Sequence, residues 1–125
     1  MNGYLANIEQ ITLKNTNFRQ VLFTGQHCQL VVMTLKPGEE IGLETHASVD
    51  QFFRIEQGQA RVIIDGKESL AQNNSAIIVP AGAKHNIINA STSAELKLYT
   101  IYSPPNHPAG TIHATKAEAE AAHHD

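Results

Sequence analysis

The sequence predicts an all-β protein, a sandwich or barrel of short strands. Three observations point there. Short apolar, β-branched stretches recur along the middle of the chain. Turn-forming residues punctuate them at close spacing, and no helical periodicity intervenes between them. The length of 125 residues suits one domain with one core.

The elements follow in order. Arg19–Phe23 and Gln29–Leu35 read as strands, with Thr24-Gly25 between them and Pro37-Gly38 ending the pair. Gln51–Glu56 runs to a turn at Gln57-Gly58. Ala60–Ile64 and Lys67–Leu70 flank Asp65-Gly66, a pair that tolerates the positive φ angles of a tight hairpin. Asn73-Asn74 ends that unit, and Ala76–Val79 leads into Pro80-Ala81-Gly82. His85–Asn89 and Leu96–Tyr102 complete the series. Pro104 and Pro105 halt the last strand because proline lacks the donor that a ladder needs. Thr115-Lys116-Ala117-Glu118 has the form of a capping box and predicts a short C-terminal helix.

Composition narrows the function classes. A net charge of −3 and the lack of any Lys/Arg cluster argue against a nucleic-acid surface. No apolar run reaches the ~18 residues of a membrane helix. Residues 1–10 lack a basic region followed by an apolar one, so the expectation is a cytoplasmic chain without a secretory signal. The single cysteine, Cys28, has no internal disulfide partner and reads as a small core or strand residue. The chain holds 7 histidines, and the question is which of them converge. His27, His107 and His113 read as surface residues, as do His123, His124 and Asp125 in the tail.

Two segments carry the chemistry. In the first, Gly38, Glu44, His46, Gln51 and Gly58 are spaced by five, one, four and six residues. In the second, Asn74, Pro80, Gly82, His85 and Asn89 are spaced by five, one, two and three. Together they resemble the two signature motifs of the cupin superfamily, G-x5-H-x-H-x3,4-E-x6-G and G-x5-P-x-G-x2-H-x3-N. Glu44 stands where the first histidine is usual, Gln51 where the glutamate is, and Asn74 where the opening glycine is. Asn also tolerates a left-handed turn. The resemblance implies a double-stranded β-helix, the cupin jelly-roll barrel. One domain would span residues 1–125, with the barrel over roughly 8–103 and a C-terminal extension over 104–125.

The resemblance also implies a metal site formed by Glu44, His46, Gln51 and His85. The usual shell of three histidines and one glutamate has formal charge −1, and so does this set. One carboxylate, one amide and two imidazoles suit Mn, Fe, Ni or Zn better than soft Cu(I). The family spacing admits Asp50 as a rival to Gln51. Strand alternation separates them: Gln51 shares a face with Phe53 and Ile55, the more apolar set, which should face inward. Phe53, Met33, Tyr99 and Tyr102 are the candidates to shape a ligand pocket.

Three functions are open on these residues. No Gly-x-Ser-x-Gly elbow is present, so an enzyme here would use metal-assisted chemistry. That chemistry is oxygen-dependent oxidation or Lewis-acid isomerisation of a small polar metabolite, with Glu44 as ligand or general base. The second reading is a metal-free barrel that binds a small molecule without turning it over, motivated by the substituted ligand set. The third is a docking module, disfavoured because the tail lacks a large apolar face. Resemblance to small cupins further implies a homodimer.

Overall fold

The computed structural model describes residues 1–122. The strands are β1 (Arg19–Thr24), β2 (Gln29–Leu35), β3 (Glu44–Thr45), β4 (Asp50–Gln57) and β5 (Ala60–Ile64). They continue as β6 (Lys67–Ala71), β7 (Ala76–Val79), β8 (Lys84–Asn89), β9 (Leu96–Ser103) and β10 (Ile112–His113). A six-stranded sheet in the order β10-β1-β2-β9-β4-β7 faces a four-stranded sheet in the order β3-β8-β5-β6. Every pairing between these strands is antiparallel. This is the jelly-roll architecture expected from the motifs.

Side-chain alternation builds the space between the sheets. In β4, Gln51, Phe53 and Ile55 are buried, whereas Asp50 is exposed and Phe52, Arg54 and Glu56 are half-buried. Met33, Leu35, Phe53, Ile55, Ile87 and Leu98 are fully buried and form the heart of the core. Burying side chains of this kind contributes about 1.5–3 kcal/mol each relative to exposure. The Asp65-Gly66 hairpin forms as expected, with φ of +48° and +81° at its two central residues. Asn74 adopts φ +71°, so it does perform the left-handed turn usual for glycine at that place.

Several features depart from the sequence expectation. A helix, α1 (Ile8–Lys14), precedes the strands, capped by the Asn7 side chain accepting from the Gln10 amide at 3.1 Å. It is too short to hold by propensity alone. The chain leaving it is pinned to the six-stranded sheet instead. Asn15 donates to Thr34 Oγ1 at 2.9 Å, and Thr34 returns a bond to the Asn15 carbonyl at 2.8 Å. The Lys97 ammonium donates to the same carbonyl. The strands β3 and β10 have two residues each, too few to show a period. Cys28 is exposed in the turn before β2 rather than sitting in core or strand.

The C-terminal region is built into the fold. After β9, buried Gln29 grips the chain: its Oε1 accepts from the Asn106 and His107 amides at 3.0 and 2.9 Å. Its Nε2 donates to the His107 carbonyl at 2.7 Å and to Thr24 Oγ1 at 3.0 Å. β10 then joins the edge of β1, placing His113 opposite Arg19. Thr115 caps α2 (Lys116–Ala121), accepting from the Glu118 amide at 3.1 Å. The Glu118 carboxylate reaches back to the Ala114 amide at 2.9 Å. Among the described residues, no helix is long and apolar enough to cross a membrane.

Two stability predictions follow from this framework. Gly58 has φ +107°, and a Cβ there would lie 2.9 Å from the Glu95 carbonyl oxygen, whereas Gly66 at φ +81° has open space. Gly66→Ala should therefore cost about 1 kcal/mol from backbone strain alone. Gly58→Ala should cost distinctly more in the same urea titration, because backbone must also move. Gln29→Leu keeps the volume but leaves two amides without an acceptor, at about 1–3 kcal/mol for each that stays dry. Hydrogen exchange at Asn106 and His107 should accelerate more than exchange in β4.

Candidate metal centre

The site forms where β3 meets β8. Their register sets Glu44 directly opposite His85 and Thr45 opposite Lys84. Directly opposed residues have Cβ atoms only ~5 Å apart, so the carboxylate and imidazole are held together by backbone pairing. His46 follows β3 immediately, and its carbonyl accepts from the Gly82 amide at 2.8 Å. The loop before β3 is clipped to β8 as well. Asn86 accepts from the Gly42 amide at 2.9 Å and donates to Glu40 at 3.1 Å.

Ligand-capable atoms of Glu44, His46 and His85 all lie within 4.8 Å of one another. His46 Nε2 stands 4.0 Å from a Glu44 oxygen. Two donors each ~2.1 Å from one ion lie no more than ~4.2 Å apart, so that spacing suits a shared cation. The His85 and His46 rings are 5.4 Å apart between centroids. His85 Nδ1 lies 3.2 Å from the Ala83 carbonyl. A carbonyl only accepts, so Nδ1 carries the proton and Nε2 presents its lone pair.

Gln51 belongs to the same interior. It is 2% exposed, and its Nε2 donates to Thr100 Oγ1 at 3.0 Å. That bond turns the amide oxygen into the free end of the group. Gln51 Oε1, His46 Nε2 and His85 Nε2 are all buried without a hydrogen-bond partner. Buried polar atoms without partners cost about 1–3 kcal/mol each, so three in one barrel need an explanation. Each of the three can present a lone pair, and a cation satisfies lone pairs that no N–H reaches. The donor set therefore fits a divalent metal. Asp50 faces outward and accepts from the Ala81 amide at 2.8 Å, as the alternation predicts.

The remaining pocket candidates divide. Tyr102 is buried with its ring 6.0 Å from that of His46, and Phe53 lies 6.3 Å from His85. Met33 is packed in the core. Tyr99 takes the other face of β9 and packs on Phe52 at 6.2 Å, away from His46 and His85. Burial raises the Tyr102 pKa. The Glu44 charge adds to this, while the Arg19 charge and hydrogen bonding by Gln51 and Arg19 oppose it. The phenol thus stays protonated.

Beside the cluster opens a cavity of about 970 Å³. Its walls include Glu44 and His46, Arg19 from β1, and His107, His113 and Lys116 from the C-terminal region. His107 and His113 are therefore wall residues, not the surface residues expected. His107 Nε2 is 3.2 Å from the Tyr102 hydroxyl, and His113 Nδ1 is buried. Sequence reading also passed over Arg19. Its position two before Val21, on the inward face, was the available signal. The tail residues gave none, because their place comes from the grip of Gln29 and from β10. His123, His124 and Asp125 lie outside the described residues.

Burial lowers the His46 pKa below the ordinary 6.5; Glu44 opposes this, and His85 and Arg19 add to it. The unfolded chain then binds the proton more readily than the folded one. The neutral ring therefore favours folding above pH 6.5, and that contribution is lost as pH falls toward the lowered folded value. Urea titrations of chelator-stripped protein should show stability falling through this window. His46→Asn should flatten that part of the slope, and an unchanged slope would assign it to other groups.

Comparison with known proteins agrees with the architecture. The Cupin_2 family model, a cupin domain, matches residues 31–102. The uncharacterized protein YrkC of Bacillus subtilis is 50% identical over 125 residues, covering 95% of this chain and 67% of YrkC. The uncharacterized protein L612 of Acanthamoeba polyphaga mimivirus is 43% identical over 120 residues, covering 93% of this chain and 74% of L612. The crystal structure of BH2720 from Bacillus halodurans superposes with a TM-score of 0.94 at 42% identity, covering 97% of this chain and 96% of that one. The motifs, the jelly roll and the family match together make this chain a member of the cupin superfamily.

Proposed function

We propose that this cupin is a metal-dependent protein acting on a small polar metabolite. Glu44, His46, Gln51 and His85 would hold one divalent transition metal, Mn, Fe, Ni or Zn. The observation that carries this reading is a set of unpartnered polar atoms in the barrel interior beside the cluster of Glu44, His46 and His85, whose donor atoms lie within 4.8 Å of one another. His46 Nε2, His85 Nε2 and Gln51 Oε1 are buried without hydrogen-bond partners, and the Glu44 carboxylate stands 4.0 Å from His46. A bound ion of this class supplies Lewis acidity or, for iron or manganese, redox chemistry with oxygen.

The chain's own groups define the rest. Glu44 is the one carboxylate of the set and keeps its formal charge at −1. It is also the least buried of the three clustered side chains, with a quarter of its surface exposed at the cavity wall. From that position it can serve as ligand or, when displaced, as a general base. Tyr102, kept protonated by burial, sets its ring 6.0 Å from that of His46 and its hydroxyl 3.2 Å from His107 Nε2. Residues from 106–122 form one wall of the cavity and bound access from that side.

The second reading, a metal-free binding barrel, has one observation in its favour. Gln51, where the family pattern has glutamate, already spends its amide on Thr100. Elemental analysis of untagged protein purified without chelator separates the two. The expected result is near-stoichiometric Mn, Fe, Ni or Zn in the wild type, lost in a folded His46→Ala, His85→Ala double variant. The metal found then chooses between oxidation and isomerisation screens. A folded wild type without metal, binding small molecules at full strength after chelation, would overturn the metal-dependent reading.

A further inference from the structure

We propose that Arg19 is an anion anchor, and that the pocket accordingly takes a small organic carboxylate with its charged end on the Arg19 guanidinium. This deepens the metal-dependent reading by naming a ligand class, yet the anchor is measurable with or without metal.

The chain has three arginines, and two of them are paired with acids. Arg54 pairs with Glu56 at 3.3 Å, and Arg61 with Glu68 at 2.7 Å. Arg19 is the buried one, at 8% exposure, and among the described residues it has no carboxylate within 4.0 Å. Its Nε is buried without an acceptor. What the guanidinium meets is the face of Phe18, 5.3 Å from the ring centroid, and the Tyr102 hydroxyl. Neither supplies a negative charge. Arginine does not shed its proton in proteins, so the charge persists there. A buried charge with no counter-ion is costly even after relaxation. A surface location, like those of Arg54 and Arg61, would avoid that cost.

Placement explains why the fold keeps it. Arg19 opens β1 on the inward face and lines the same cavity as Glu44 and His46. Glu44 and Glu120 are the acids that line that cavity with it, and Lys116 is the other cation; the Glu44 charge would be claimed by the metal when one is bound. With a divalent ion present, Glu44 at −1 and Arg19 at +1, and with Lys116 and Glu120 cancelling one another, the site has a net charge of about +2. A mono- or dicarboxylate neutralises it. A lone planar guanidinium also suits a planar carboxylate, which it binds through two parallel N–H bonds.

The test uses the full chain, ¹⁵N-labelled, both loaded with zinc and stripped by chelator. The Arg19 Nε–H signal is assigned by its absence from the Arg19→Lys spectrum. Acetate or malonate should shift it saturably, while acetamide leaves it in place and the Arg54 and Arg61 signals stay still. A folded Arg19→Gln variant should bind the same carboxylates at least tenfold more weakly with unchanged metal content. If that variant does not fold, the wild-type titration still decides. No shift of Arg19 would overturn the anchor, as would equal affinity in Arg19→Gln or preferential binding of inorganic phosphate. A metal-loaded protein whose Arg19 ignores carboxylates sinks the anchor and leaves the metal reading intact. A protein that takes up no metal, but whose Arg19 signal responds, does the reverse.

Discussion

The register between β3 and β8 is the constraint on which the site depends. It sets Glu44 opposite His85, and a slip of one residue would turn Glu44 to the other face of the sheet. Two residue pairs are a slender ladder, so the surrounding chain reinforces them. Glu40 bridges to Ile88, the Ile41 amide bonds the Ile87 carbonyl at 2.9 Å, and the Gly82 amide holds His46. Each of these bonds lies on or beside β8. That strand is in turn paired along its length with β5, in the interior of its sheet. The site therefore rests on the least deformable part of the smaller sheet, and its loops are fastened to that part by side-chain amides.

The barrel interior is divided between two kinds of burial. The half farther from the cavity is apolar, and its Leu, Ile, Phe and Met side chains supply the area that holds the sheets together. The half toward the cavity holds Gln51, His85, Thr100 and Arg19, all buried and polar. Some of this polarity is satisfied internally, as in Gln51 with Thr100 and His85 with Ala83. The unsatisfied remainder is concentrated beside the cavity. A structure optimised for stability alone would have apolar residues at these positions. Their concentration in one place is the physical signature of a site that a ligand completes.

Much of the barrel was legible in the sequence because alternation and turn chemistry are local. Gln29–Leu35, Ala60–Ile64 and Ala76–Val79 coincide with strands, and Asp65-Gly66 and Asn74 take the backbone geometry their residue types permit. The separation of Gln51 from Asp50 was legible for the same reason. Elements that depend on distant partners were not. α1 owes its position to its own C-cap, Asn15, held by Thr34 and Lys97 from other parts of the chain. β10 exists because Arg19 and Gln20 offer it an edge. The wall role of His107 and His113 depends on Gln29, 78 residues from His107 in sequence, and no local pattern announces a contact of that span.

The segment gripped by Gln29 also bears on the order in which the molecule assembles. The clustered donors lie between residues 44 and 85, and the last strand that flanks β4 ends at Ser103. The ligand set thus draws on residues that precede those of the C-terminal wall, 106–122. Closure then waits on β1 meeting β10, a contact between residues about 90 positions apart, and such contacts form slowly. Loosening this segment alone would therefore widen the way to the donors while leaving the donors themselves in place.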